Sequence, residues 1–176
     1  MPIVFLSLGS NLGNRRRLIE EMAQKCGRVL DGPMARSQLM ATEPVGMPGQ
    51  QRWFVNLLIR GRFPGRAREL LLECNRIEDE LGRTRATRWA ARTADIDILL
   101  FGHEIIHDRR LVVPHPRILQ RRFCLEGLRQ VCPFFIVPGT GKTVMEHFCT
   151  MDGQVRRQKI IFMKNGSPEH QQGRPR

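Results

Sequence analysis

Tyrosine is missing from this 176-residue chain, and the other large aromatics are few: nine Phe and two Trp, 6% of residues with Tyr included. A surface that reads single-stranded nucleic acid by stacking needs paired aromatics on its central strands, so that class starts with little material. Cysteine is sparse too. Cys26, Cys74, Cys124, Cys132 and Cys149 are odd in number and contain no CxxC pair, which argues against a disulfide framework or a zinc site and suits a reducing compartment. No apolar run approaches the roughly 20 residues of a membrane-spanning helix. The first residues lack the basic-then-apolar pattern of a secretory leader, so a cytoplasmic protein without a membrane partner is expected. Acidic residues are outnumbered, 17 against 29 Lys+Arg, for a formal net charge of +12 and a pI near 11.0.

What is present suffices for a core: 41% hydrophobic and 26% charged residues, in a length that suits one domain. A basic balance this large first suggests nucleic acid or a membrane surface. Its distribution suggests something narrower. Residues 83–122 carry nine arginines and no lysine, net +5, and residues 155–176 carry another +5.

Hydrophobic periodicity predicts the elements. The apolar run at 3–8 reads as a strand buried on both faces, and Gly9-Ser10-Asn11-Leu12-Gly13-Asn14 as its turn and helix cap. Leu18, Met22 and Cys26 mark a helix with Gly27 as its stop. A weak strand follows at 37–42, then a Pro/Gly-rich loop at 43–52 and a strand at 54–62. Ala67, Leu70, Leu71, Cys74, Ile77 and Leu81 form one helical stripe ended by Gly82. An arginine-rich loop at 83–94, a strand at 95–101 and a short helix near 122–130 complete the pattern. The order βαββαβ predicts a ferredoxin-like α+β fold, a sheet with helices on both faces in three α-β-α layers. A single domain over residues 1–154 is expected, with 155–176 as a basic C-terminal tail, partly disordered.

Gly139-Thr140-Gly141-Lys142-Thr143 imitates the end of a phosphate-binding P-loop, but Ile136 stands where the motif needs its first glycine. Asp95-Ile96-Asp97 is more informative. Residues i and i+2 of a strand share a face, so both carboxylates project together. Such a pair suits Mg²⁺, which takes one or two carboxylates and completes its shell with water and phosphates; spacing alone fits equally a solvated edge strand with basic partners. Arg83, Arg85, Arg88 and Arg92 precede the pair, and Arg110, Arg117, Arg121 and Arg122 follow it. Arginine forks bind phosphate oxygens directionally, so the combination is suited to a polyphosphate. Phe54 and Asn56 share a strand face and suit a flat heterocycle. Trp89 sits between arginines in a loop, and Pro114 and Pro116 flank His115. His103, His107, His147 and His170 show no metal spacing.

Together these segments resemble the 6-hydroxymethyl-7,8-dihydropterin pyrophosphokinase family of folate synthesis over roughly residues 2–150. The likeness rests on Leu8-Gly9-Ser10-Asn11-Leu12-Gly13, Thr42-Glu43-Pro44, Phe54-Val55-Asn56 and Arg76-Ile77-Glu78. It continues through the run from Arg92-Thr93-Ala94-Asp95-Ile96-Asp97 to Gly102, then Val113-Pro114-His115-Pro116-Arg117 and Arg121-Arg122-Phe123. The resemblance implies transfer of pyrophosphate from ATP to the pterin hydroxymethyl group, releasing AMP, with ATP as co-substrate and two Mg²⁺ ions held by Asp95 and Asp97. It implies catalytic roles for Arg83, Arg92, Asp95 and Asp97, and pterin contacts from Thr42, Val45, Phe54, Asn56, Trp89 and Phe123. It places Asn75, Glu78, Arg85, Arg88, Ile98, Arg110, Val112, His115 and Arg121 on the ATP. It also implies mobile loops at 43–52 and 83–94 that close over bound ATP. Ala91 and Ala94 depart from the family's usual proline and leucine, and Asn75 from a longer amide. A monomer with small-molecule partners and no nucleic acid is expected. The rivals are an RNA-recognition module of the same strand order and a family member that has lost its activity; the carboxylates on the central strands and the intact Asp pair speak against each.

Overall fold

The first apolar run becomes β1 (Ile3–Ser10), buried from Val4 onward. The other strands assemble around it in a computed structural model that describes residues 1–44, 52–83 and 93–164. In order follow α1 (Arg15–Val29), β2 (Asp31–Arg36), β3 (Met40–Thr42), β4 (Phe54–Arg62), α2 (Ala67–Glu80) and β5 (Asp95–Phe101). Then come β6 (Ile106–His107), β7 (Val112–Val113), α3 (Arg122–Val131), α4 (Val144–Cys149), α5 (Gly153–Arg157) and β8 (Ile160–Phe162). The main sheet runs β5-β1-β4-β3-β8 with every pairing antiparallel, and β2 also pairs β4. β6 and β7 make a separate ribbon.

Side chains alternate across the pleat, so the sheet has two apolar faces. On one, Ile19, Met22 and Cys26 of α1 and Leu70, Cys74 and Ile77 of α2 join Val4, Leu6, Leu8, Val55, Leu57 and Ile59. On the other, Cys124, Leu128 and Val131 of α3 and Val144 of α4 join Phe5, Met40, Leu58, Leu99 and Leu100. The molecule is thus an α+β domain with helices against both faces of an antiparallel sheet.

One irregularity sets which face β5 shows. Its pairing with β1 shifts between Phe5 and Leu6: Phe5 lies opposite Leu100, but Leu6 lies opposite Ile98. Leu99 is therefore an extra residue, a β-bulge, and Leu99 and Leu100 both enter the α3-side cluster. The same shift puts Asp95 and Asp97 on the α3 side, opposite Gly9 and Ser7.

The structure corrects several expectations. Gly27 does not stop α1: the helix runs to Val29, because the Leu30 N–H still donates to the Cys26 carbonyl at 3.0 Å and Leu30 is buried in the core. Burial outweighs the poor helix propensity of glycine. Of the strand expected at 37–42 only Met40–Thr42 forms, as β3, and an unexpected strand, β2, precedes it, hidden by its Gly32-Pro33 turn chemistry. The boundary expected at 154 does not divide the fold, since α5 spans it and β8 beyond it pairs β3; residues 165–176 lie outside the described residues. Gly139 and Gly141 adopt positive φ between the bridged residues Ile136 and Thr143. Thr143 then caps α4 in a capping box with Glu146. The P-loop look-alike is a turn and a cap.

All five cysteines are free, and burial pushes the thiols of Cys26 and Cys124 up to about 12, so both are neutral packing groups. No helix of the described residues is long and apolar enough to cross a membrane.

Helix α3 crosses β4 at a glycine. A Cβ at Gly127 would lie 2.6 Å from Leu58 Cδ1 and 2.9 Å from Leu58 Cβ. Gly127→Ala is expected to lower stability by about 1–3 kcal/mol through overpacking, despite alanine's better helix propensity. A urea midpoint that falls at unchanged slope is the check; a midpoint that rises refutes the contact.

Candidate active site

Antiparallel partners point to the same face, so the register reads the site directly. Gly9 on the central strand pairs with Asn56 of β4 on one side and Asp95 of β5 on the other. Ser7 sits likewise between Leu58 and Asp97. Across β4, Met40 pairs with Asn56 and Thr42 with Phe54. Thr42, Phe54, Asn56, Asp95 and Asp97 therefore occupy one face of the sheet, the face α3 covers further along.

A Cβ at Gly9 would lie 3.1 Å from Asn56 Oδ1 and 3.9 Å from Asp95 Cβ. The missing side chain leaves a cradle between the amide and the carboxylate, whose strands stand about 10 Å apart, two ladder spacings. The Leu8-Gly9-Ser10 motif was visible in the sequence, but nothing in its pattern assigned Gly9 this place. Asn56 is buried, and its Nδ2 donates to Thr42 Oγ1 at 2.8 Å, which fixes the amide with its oxygen toward Gly9.

The carboxylates are met by basic side chains from three separate segments of the chain. Arg121 Nη1 lies 3.2 Å from Asp97 Oδ2, and His115 Nε2 lies 3.8 Å from the same oxygen. The His115 backbone N–H donates to the carbonyl of the bulge residue Leu99 at 2.9 Å, anchoring the Pro114-His115-Pro116 turn against β5. His115 Nδ1 accepts the Arg117 N–H at 3.1 Å, so the ring proton of the neutral form sits on Nε2, toward Asp97. Burial lowers the His115 pKa; Asp97 opposes that shift, and Arg121 and Arg117 add to it.

Asp95 is reached by Arg83, whose Nη1 lies 3.1 Å from Asp95 Oδ1 and in close contact with Glu78 Oε1. Glu78 is only 3% exposed. Its Oε1 also accepts the Ile96 backbone N–H at 2.6 Å, so one carboxylate of α2 ties both the peptide between the two aspartates and the arginine beside them. Burial is the strongest influence on Glu78 and pushes it up to about 7; the Ile96 amide and Arg83 pull against this, and Asp95 adds to it. The sequence placed Glu78 on a helix but carried no sign of which strand amide it would meet.

Phe123, the second residue of α3, is half-buried, with the Arg121 guanidinium 5.9 Å from its ring centroid. Ile98 points into the core between the sheet and α1 and α2, so only its main chain faces elsewhere. Asn75 is half-buried on α2 and Val112 on β7, while Arg110 is exposed. Val45, Arg85, Arg88, Trp89, Ala91 and Arg92 lie outside the described residues, as do most of the two loops expected to close.

Residues 5–133 match the protein family described as 7,8-dihydro-6-hydroxymethylpterin-pyrophosphokinase, HPPK. The chain belongs to this family. Among its HPPK relatives, the 2-amino-4-hydroxy-6-hydroxymethyldihydropteridine pyrophosphokinase of Bacillus subtilis is 38% identical over 131 residues, 74% of this chain and 78% of that one. The enzyme of the same name from Methylorubrum extorquens is 34% identical over 86% of this chain and 95% of its own length. In the crystal structure of wild-type HPPK-DHPS from Plasmodium falciparum, the matching part covers 84% of this chain and 44% of that one. The TM-score is 0.65 at 16% identity, a likeness of fold alone.

Removing the Glu78 carboxylate strands the Ile96 backbone N–H and takes from Arg83 one of its two acidic partners. Glu78→Ala is expected to cost about 3–5 kcal/mol, the range for breaking a buried ion pair. Thermal or urea unfolding reads this; a loss below 1 kcal/mol would show that Glu78 is not the tie between α2 and β5.

Proposed function

We propose that this face of the sheet binds ATP and 6-hydroxymethyl-7,8-dihydropterin on either side of Gly9. The reaction comes with the family: pyrophosphate passes from ATP to the hydroxymethyl group in folate synthesis, and the chain is an ATP-dependent diphosphotransferase. The hydroxymethyl oxygen attacks the β-phosphorus and the bond from that phosphorus to the α,β-bridging oxygen breaks. AMP leaves with the bridging oxygen, and the hydroxyl proton goes to solvent. The observation that carries the residue assignment is the row Asn56–Gly9–Asp95, which sets a heterocycle-reading amide and a metal-suited carboxylate on opposite sides of one bare position.

On the β4 side, Phe54 and Phe123 would stack on the pterin ring while Asn56 and Thr42 meet its polar edge. On the β5 side, Asp95 and Asp97 present oxygen donors of the kind Mg²⁺ prefers. Among the described residues no cluster of three His, Cys, Asp or Glu side chains is arranged to hold a metal. Asp95 and Asp97 are the side chains that would hold Mg²⁺, and two ions are our reading for this site. Bound there, Mg²⁺ would neutralise triphosphate charge and the charge developing in transfer. Arg83 and Arg121 keep further N–H donors beyond those they spend on the carboxylates and would turn them to phosphate oxygens, as would Arg92 from its loop. Alignment then carries much of the rate, since orienting two reactants supplies about 7–11 kcal/mol. The strand order β5-β1-β4-β3, within the stretch from β1 to β5, supports reading the core as ferredoxin-like.

The deciding assay is AMP release from ATP with and without the hydroxymethyl pterin: release that needs the pterin supports the reading, and pterin-independent release sinks it. Asp97→Ala is expected to cut turnover by about 10²–10³ or more with an unchanged circular dichroism spectrum; retained turnover excludes Asp97 from the phosphate site. Phe123→Ala is expected to weaken pterin binding by about two- to tenfold, the worth of one stacking pair, and an unaltered pterin KM would remove Phe123 from the slot.

A further inference from the structure

Helix α3 begins without a cap of its own: Arg121, at the cap position, makes no side-chain cap hydrogen bond. The first amides of a helix need acceptors from outside it, and here one comes from 36 residues away. Gln158 Oε1 accepts the Arg122 N–H at 2.9 Å, and Gln158 Nε2 donates to the Gln120 carbonyl at 2.8 Å. Arg122 returns the contact, its Nη1 donating to the Arg156 carbonyl at 2.9 Å and the Gln158 carbonyl at 3.0 Å.

The next residue turns to the opposite wall. The Lys159 N–H donates to Glu43 Oε1 at 2.9 Å, and its carbonyl accepts the Glu43 N–H at 3.4 Å. Ile160 then pairs with Thr42, and both Ile160 and Phe123 pack against the apolar cluster on the α3 side of the sheet. Two consecutive residues thus reach from the residue before Phe123 to the residue after Thr42. Both lie beyond residue 133, where the family match ends.

We infer that Gln158 and Lys159 form a strut that fixes the width of the pterin slot, holding the Phe123 wall at a set distance from the Thr42–Phe54–Asn56 wall. They are positioning residues, acting through α3 and β3 and not by touching substrate. The inference rests on the assignment of that slot to the pterin. The ATP side lies across Gly9, on β5; the strut meets it only through the main chain flanking Arg121, whose guanidinium is held separately by Asp97.

The test uses full-length Gln158→Ala, Gln158→Glu and Glu43→Ala, with Phe123→Ala as reference, and measures KM for pterin and for ATP alongside kcat and thermal midpoint. Gln158→Ala removes two hydrogen bonds, and a loss of about 1 kcal/mol of positioning corresponds to a three- to tenfold rise in pterin KM, with ATP KM held within about twofold. Gln158→Glu keeps an acceptor for the Arg122 amide and should bring pterin KM back toward wild type. Glu43→Ala, which removes the side-chain bond at the other end and leaves the main-chain pairing, should raise pterin KM alone. Where Phe123→Ala raises pterin KM, the strut is overturned if the Gln158 and Glu43 variants leave it unchanged, or raise both KM values in parallel. If Phe123→Ala does not raise it, the slot assignment itself has failed and the strut falls with it. Should Gln158→Ala not fold, Glu43→Ala decides between the same outcomes.

Discussion

The hydrogen-bonded ladder holds β4, β1 and β5 at fixed separation, and no choice of side chain alters it. Asn56 and Asp95 therefore stand two strand spacings apart, and Gly9 decides whether that interval is usable. With any larger residue the interval would be filled by a side chain touching the Asn56 amide. The two-sided core explains why β1 can afford such a position. Val4, Leu6 and Leu8 anchor the strand under α1 and α2 while Phe5 anchors it under α3. The bare position is thus set into a rigid strand.

Charge around the end of β5 is balanced, not simply positive. Glu78, Asp95 and Asp97 face Arg83 and Arg121, while burial pushes His115 toward its neutral form. Each arginine reaches in from a different direction, Arg83 from beyond α2 and Arg121 from the start of α3. A site charged only positively would hold any polyanion; one with opposed carboxylates favours a phosphate that arrives with its cation. The basic total of the chain accordingly says less about the site than the pairing does. Arg122 serves the α3 terminus, and Arg76 is spent on Glu73 and Glu80.

The sequence was most readable where hydrophobic period and local chemistry agreed. β4, β5 and α2 appear at the expected residues, because an apolar stripe and a terminating Gly82 both speak for the same element. β2 was hidden because Gly32 and Pro33 read as turn residues, and an edge strand with a shifted register tolerates them. β8 has three residues and two exposed apolar side chains, and it acquires meaning only beside β3. At the site, the shared face of Asp95 and Asp97 followed from spacing alone. Which face that would be did not, since Leu99-Leu100 offers no sign of which leucine is the extra one. Likewise, Glu78 could be placed on a helix but not against Ile96, and Gln158 not against Arg122, because both contacts depend on tertiary docking.

The bulge at Leu99 works as a phase shifter. Counting back from Phe101 without it, Asp97 would fall opposite Leu8 and point beneath α1 and α2, into the apolar cluster they share with the sheet. Insertions in β5 are therefore not measured by how much they lengthen the strand, but by parity. A single residue gained between Asp97 and Phe101 with no second bulge turns the acidic pair through the sheet, whereas loss of Leu99 only removes the bulge and leaves Asp97 opposite Ser7. A gain of two, however much larger, leaves the pair facing the same way.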